Sequence, residues 1–373
     1  MSTRPGPRPL SRSLDPIAGE SLGGYLLRLS CRLRVSPVQL ARLTGCDGAG
    51  QVVLRRRLLL NLDIERFAQA TRLSAGEASS LTVASWADRY PPIARSRIEP
   101  DKHVVLDGWL FSTSIRYCPD CLAGNSSLVQ QQYGGPWKKT WHLPVVFACL
   151  QHQRFLREGC PQAHPGGPAA WRLIAYPSAS ALHPVQCRLP LRSGKTSRHR
   201  SSCGIRLDQP GEDDLPRPSP ATLNLQEYLL ALLSPQHPAE DAARVFTDLR
   251  VISAFLCKSW PLAQDLMDSS LAAAVSRHVR RLGAGYHSSL DSQPYGILAT
   301  VGLLTAAATV RNSTDLERTL ARHVQPPRWD SANLTWARIL GRHQSTCSPA
   351  LHQAARAVLA SLPTSARRER KRT

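Results

Sequence analysis

Two short half-sites constrain this chain more than anything else in it. Cys118-Pro119-Asp120-Cys121 is a C-x2-C knuckle, and 27 residues separate Cys121 from the C-x2-H pair Cys149-Leu150-Gln151-His152. Each half-site can set two ligand atoms on one ion. Together they supply the four soft and borderline donors of a closed tetrahedral zinc site. Pro119 stiffens the first turn, and Tyr117, Trp137 and Trp141 are candidates for a small core around the ion. A redox C-x2-C would be expected beside a βαβ pattern, which is absent, and would leave His152 without a role.

A second, looser set follows: Cys160, His164, Cys187 and Cys203, the last preceding Gly204. His183 or His199 could replace any one of these ligands. Four protein ligands leave no open position for an activated water, and neither set has an obvious general base nearby. Both sites therefore read as structural rather than catalytic, and two Zn2+ ions are expected. Structural zinc contributes on the order of 10 kcal/mol or more to folding a small module. Cys31, Cys46, Cys257 and Cys347 lie in helical surroundings and read as small core hydrophobes, and isolated His103 and His142 read likewise as core residues.

The rest of the composition speaks to partners and compartment. Lys and Arg number 47 against 27 Asp and Glu, a formal net charge of +20, which favours a polyanion and in particular nucleic acid. Hydrophobic content of 42% is enough for ordinary cores. The first 14 residues lack the apolar stretch of a secretory signal. The longest apolar run, 297–310, is short of the roughly 20 residues that span a bilayer and reads as a buried helix. A cytoplasmic protein without a membrane partner is expected, with its ten cysteines serving as ligands and core thiols.

Along the chain, residues 1–18 read as a flexible basic lead. Leu22, Leu26, Leu29 and Leu33 mark one helical face, and Ser36-Pro37 opens a second helix with Val38, Leu40 and Leu43 inward, ending near Gly45. Residues 51–62 read as another helix, presenting Gln51, Arg55, Arg56 and Arg57 as candidate contacts to bases and phosphates. Ser74-Ala75-Gly76-Glu77 has the form of a capping box. The expected fold is mainly α with a small zinc-stapled α/β module. It comprises a helix-turn-helix domain over 19–110, a zinc-ribbon-like domain over 111–208, a linker over 209–220, a helical domain over 221–365 and a basic tail over 366–373.

Several of these stretches resemble the TniQ family of transposon target-selection proteins. Glu20-Ser21-Leu22 with Tyr25-Leu26-Leu27-Arg28-Leu29 is similar to its opening, with Tyr25 where the family usually has Trp. The stretch from Phe67 to Ser74, followed by Leu81-Thr82, is similar to its next helices. Arg116 to Leu122, Trp141, Cys149 to His152 and Cys160-Pro161 resemble its zinc block. Where the family continues Cys-Pro-x-Cys, this chain has Ala163 and then His164. The resemblance implies a non-enzymatic adaptor that recognises a DNA target, directly or through an RNA-guided complex, and recruits an AAA+ ATPase regulator and a transposase. A homodimer is compatible with it. A stand-alone zinc-dependent transcription regulator shares the same local motifs. An enzyme is disfavoured, since no H-E-x-x-H, phosphate loop or nucleophile elbow is present.

Overall fold

The computed structural model describes residues 8–46, 59–60, 62–96, 107–114, 116–125, 127–162, 182–189, 202–209, 215–282, 293–324 and 332–361. Within them the chain is mainly helical, with four two-residue strands. It forms two compact units, one of residues 1–87 and 95–223, the other of residues 88–94 and 224–373.

In the first unit, α1 (Leu22–Leu33) starts where the Ser21 side chain accepts the Gly24 amide, and it ends at Arg34 in the left-handed region. Leu22, Tyr25, Leu26 and Leu29 are buried, while Leu33 is only half-buried. The Tyr25 ring meets Phe67 edge-on at 6.1 Å, and its hydroxyl donates to the Leu14 carbonyl at 3.1 Å. Helix α2 (Pro37–Leu43) has the expected Ser36 cap and Pro37 at its first turn. Leu43 corrects the sequence reading. It is 46% exposed, because the inward face of so short a helix is filled by Pro37, Leu40 and Ala41. Asp63 caps α3 (Ile64–Thr71), and Ser74 and Glu77 form the full capping box of α4 (Ala75–Ser80).

The helix expected over 51–62, with Gln51, Arg55, Arg56 and Arg57, lies almost wholly outside the described residues; Leu59 and Leu60 form a buried turn. The expected flexible lead is corrected where it is described. Residues 8–18 dock on the helices, with the Leu10 amide donating to the Ala70 carbonyl at 2.9 Å and Leu14 buried. Burying Leu14 and pairing these backbone groups outweighs the freedom the segment loses.

The metal-ligand region follows a short α5 (Pro91–Arg95). It consists of β1 (Arg116–Tyr117), α6 (Pro119–Ala123), α7 (Leu128–Tyr133), β2 (Ala148–Cys149), β3 (Arg154–Phe155) and β4 (Arg157–Glu158). β1 pairs antiparallel with β4, and β2 with β3. This region shares a unit with α1–α4, although the sequence suggests two separate domains. The Ser21 amide donates to the Trp137 carbonyl at 2.7 Å, and the Lys139 amide to the Gly19 carbonyl at 2.9 Å. Lys139 Nζ reaches the Ser80 and Thr82 carbonyls and lies 4.7 Å from the Trp86 ring centre. A Cβ on Gly24 would come within 2.8 Å of the Trp137 Cβ, so only glycine lets α1 approach this closely.

The second unit is an ordinary helical core. It contains most of α8 (Pro220–Ala231), then α9 (Ala239–Lys258), α10 (Ser269–Leu282), α11 (Ile297–Arg311), α12 (Leu316–His323), α13 (Ala332–His343) and α14 (Pro349–Ser361). The apolar run 297–310 is buried inside it, with α11 packed against α9 and α10. Phe255 stacks on Trp336 at 5.0 Å. Buried Asp248 of α9 accepts Arg311 Nε at 3.2 Å and the Ser348 amide at 2.8 Å, tying α9 to the end of α11 and the start of α14. No helix among the described residues is long and apolar enough to cross a membrane.

Candidate metal centre

The two half-sites are built by different local devices. Cys118 leaves β1 and occupies the N-cap position of α6, so Cys121 stands one turn later on the same side. Cys149 ends β2, and the tight turn through Gln153, at φ 47°, brings His152 back over it before β3 begins. The β1–β4 and β2–β3 pairings hold the two turns face to face. Behind the first turn, Gly135 lies so close to the Cys121 carbonyl that a Cβ would fall 1.9 Å from its oxygen.

The four ligand atoms meet. His152 Nδ1 lies 3.3 Å from Cys118 Sγ and 3.4 Å from both Cys121 Sγ and Cys149 Sγ. Cys121 and Cys149 sulfurs are 3.6 Å apart, and all four atoms fall within 4.8 Å of one another. A tetrahedron with Zn–S bonds of about 2.3 Å has S–S edges of about 3.8 Å, so this cage has the dimensions of a zinc shell. The same separation is far too long for disulfides, and none of the ten cysteines is in one.

The cage is unfavourable as a bare cluster of thiols. Hydrogen bonds to Cys121 and Cys149 and then burial push the Cys118 thiol above its ordinary value, while hydrogen bonds from Cys118 and Cys121 hold Cys149 below its own. One thiolate forms at its neighbours' expense, and a divalent cation is what lets several form together. Asp120 sits 3.8 Å from Cys118 Sγ and accepts Arg154 Nη1 at 2.7 Å, a brace from β3 onto the first knuckle. The expected aromatic core is present. Tyr117, Trp137 and Trp141 are buried in a row, with ring centres 5.8 and 6.4 Å apart.

The second set assembles in part. Cys160, Cys187 and Cys203 form a second cluster within the same distance limit, with Cys160 and Cys203 sulfurs 3.8 Å apart. His164 and His199 lie outside the described residues. His183 does not join the cluster; its Nε2 contacts the Gln132 carbonyl at 3.1 Å and its Nδ1 the Val185 amide at 3.4 Å. Cys46, Cys257 and Cys347 are buried as expected and Cys31 half-buried. His142 is half-buried, and its desolvation pushes it down to about 4, while His103 lies outside the described residues.

Sequence reasoning missed a buried ion pair in the same unit as this centre. Arg28 Nε donates to Glu20 Oε1 at 2.7 Å, and both side chains are at most 1% exposed. Burial raises the Glu20 carboxyl even against the pull of Arg28. The signal is an acidic residue just before α1 and a basic one two turns later on its buried face. In a leucine-rich amphipathic helix, that Arg would ordinarily face water.

Fold and site together define a mainly helical protein with two Cys/His clusters able to hold metal ions. The model of the TniQ family matches residues 11–156, so this stretch is similar to that family. It takes in α1–α4 and all four residues of the first cluster, and it ends before Cys160. No curated protein matches the chain.

Proposed function

We propose that the chain is a non-enzymatic, DNA-binding target-selection adaptor of a heteromeric transposon. The observation that carries this reading is the TniQ match over residues 11–156 with the Cys118–Cys121–Cys149–His152 cage inside it. The net charge of +20 supports a DNA partner. In this reading two structural Zn2+ ions are held, one by the complete cage and one by Cys160, Cys187 and Cys203 with His164 as fourth ligand. The ions do no chemistry. They fix the loops between the strands, against which α1–α4 pack, so that a helix-turn-helix surface is held rigid. Gln51, Arg55, Arg56 and Arg57 are the residues assigned to base and phosphate contact. The adaptor then recruits an AAA+ ATPase regulator, and through it the transposase.

Affinity capture of the tagged chain from its native host, followed by mass spectrometry, tests the reading. Recovery of an AAA+ ATPase together with DNA supports it. DNA recovered with neither an ATPase nor a transposase would replace it with a stand-alone regulator.

A further inference from the structure

The second unit carries a cationic stripe of its own on α10. Arg277, Arg280 and Arg281 are all exposed and stand at i, i+3 and i+4, the spacing that puts them on one face. The opposite face of α10, with Leu271, Ala272, Ala274, Val275 and His278, is buried against its own unit. The helix has no acidic residue. The nearest carboxylate in sequence is Asp268, which accepts the Leu271 amide at the far end. Nine residues of helix put it about 14 Å from Arg277, beyond the screening length of about 8 Å at physiological salt.

Four other arginines of this unit are held by carboxylates. Arg311 is bonded to Asp248, Arg318 to Asp315, Arg322 to Asp265, and Arg244 to Glu240 and Asp241. Among the described residues none of the three stripe arginines has a carboxylate partner. The helix dipole favours Arg280 and Arg281 in the last turn, but Arg277 lies before it, and like charges one turn apart repel. Beside the stripe, Tyr295 is 53% exposed, with its ring centre 6.2 Å from that of His278, between Arg277 and Arg281 in sequence. Three guanidinium groups over a rise of about 6 Å match duplex DNA, which carries about one phosphate charge per 1.7 Å of axis.

We infer that the α10 stripe of Arg277, Arg280 and Arg281 is a second DNA-contacting surface, holding the phosphate backbone of a duplex independently of residues 51–57. It reads no sequence, since guanidinium–phosphate pairs fix position and carry no base information. The inference rests on the DNA-binding part of the proposed function and extends it to α10, which lies outside the residues of the TniQ match.

The test measures the salt dependence of binding to a labelled 40-base-pair duplex of arbitrary sequence, using the full zinc-loaded chain. Four proteins are compared: the unaltered chain, R277A/R280A/R281A, R55A/R56A/R57A and the control R318A/R322A. Circular dichroism verifies folding of each. Removing the stripe should flatten the log–log salt slope by about 3, near 0.9 for each phosphate no longer neutralised, whether or not R55A/R56A/R57A also flattens it. The control should leave it within about 1. An unchanged slope for R277A/R280A/R281A overturns the inference, as does a weakening confined to a single-stranded probe. An unchanged slope for R55A/R56A/R57A alone overturns instead the role given to residues 51–57.

Discussion

The two units reach stability by different routes. The second has a continuous apolar core, in which α11 is buried between α9 and α10 and Trp336 lies flat on Phe255. The ligand-bearing part of the first has only two-residue strands and helices of five and six residues around its cysteines. Elements that short do not persist alone. What holds them is a cage of four side chains, the Asp120–Arg154 brace and the contacts of Trp137 and Lys139 with the N-terminal helices. The lesson is that one chain can contain a unit held by a continuous apolar core and a region whose short elements gather around a cluster able to bind a metal, and their responses to perturbation should separate.

Zinc removal should separate them most. Stripping the ion should remove on the order of 10 kcal/mol from the ligand-bearing region. In hydrogen exchange with a strong chelator, residues 107–162 should lose protection while 239–324 keep theirs; equal loss in both would mean that ligation does not distinguish the units.

Core substitutions come next. Glu20→Ala leaves Arg28 buried without its partner and should cost about 3–5 kcal/mol in the first unit. Trp336→Ala removes the ring stacked on Phe255 and should cost a similar ~3–5 kcal/mol in the second. Calorimetry should show each variant lowering a different transition. A common downward shift of both would dissolve the distinction.

Acid gives a smaller effect in the second unit, where no metal cluster is found among the described residues. Burial first, and then the Arg281 charge, push His278 down to about 4, and its Nδ1 accepts the Tyr295 amide. Its folded value is below the ordinary value of 6.5, so the folded state favours the neutral ring. The contribution is complete above about pH 6.5 and is lost as pH falls towards 4, amounting to ~3 kcal/mol. His278→Gln should flatten the pH dependence of the second transition over that window. The smallest effect is Ser74→Ala, which breaks the α4 capping box and should cost about 1 kcal/mol in the first unit alone.

Local chemistry is the legible part of the sequence. Ser36-Pro37, the Ser74–Glu77 box, the buried run 297–310 and the two half-sites Cys118–Cys121 and Cys149–His152 are each local, and the structure forms the caps, buries the run and gathers the four side chains. What is hidden is long-range. Nothing near Trp137 says that its carbonyl will take the Ser21 amide, and the docking of residues 8–18 depends on partners as distant as Ala70. Leu43 is misplaced by periodicity because a seven-residue helix has room for few inward positions. Glu20 and Arg28 escape notice because the ordinary rule sends charges to the surface. The three arginines of α10 are visible as letters, but their shared exposed face and lack of carboxylates require the fold.

The most direct test of the account is the zinc content of the intact chain by native mass spectrometry. Two ions per chain are expected, falling to one in Cys118→Ser/Cys121→Ser, with the transition of the second unit unchanged. A chain that carries no zinc yet keeps residues 107–162 protected from exchange would contradict it.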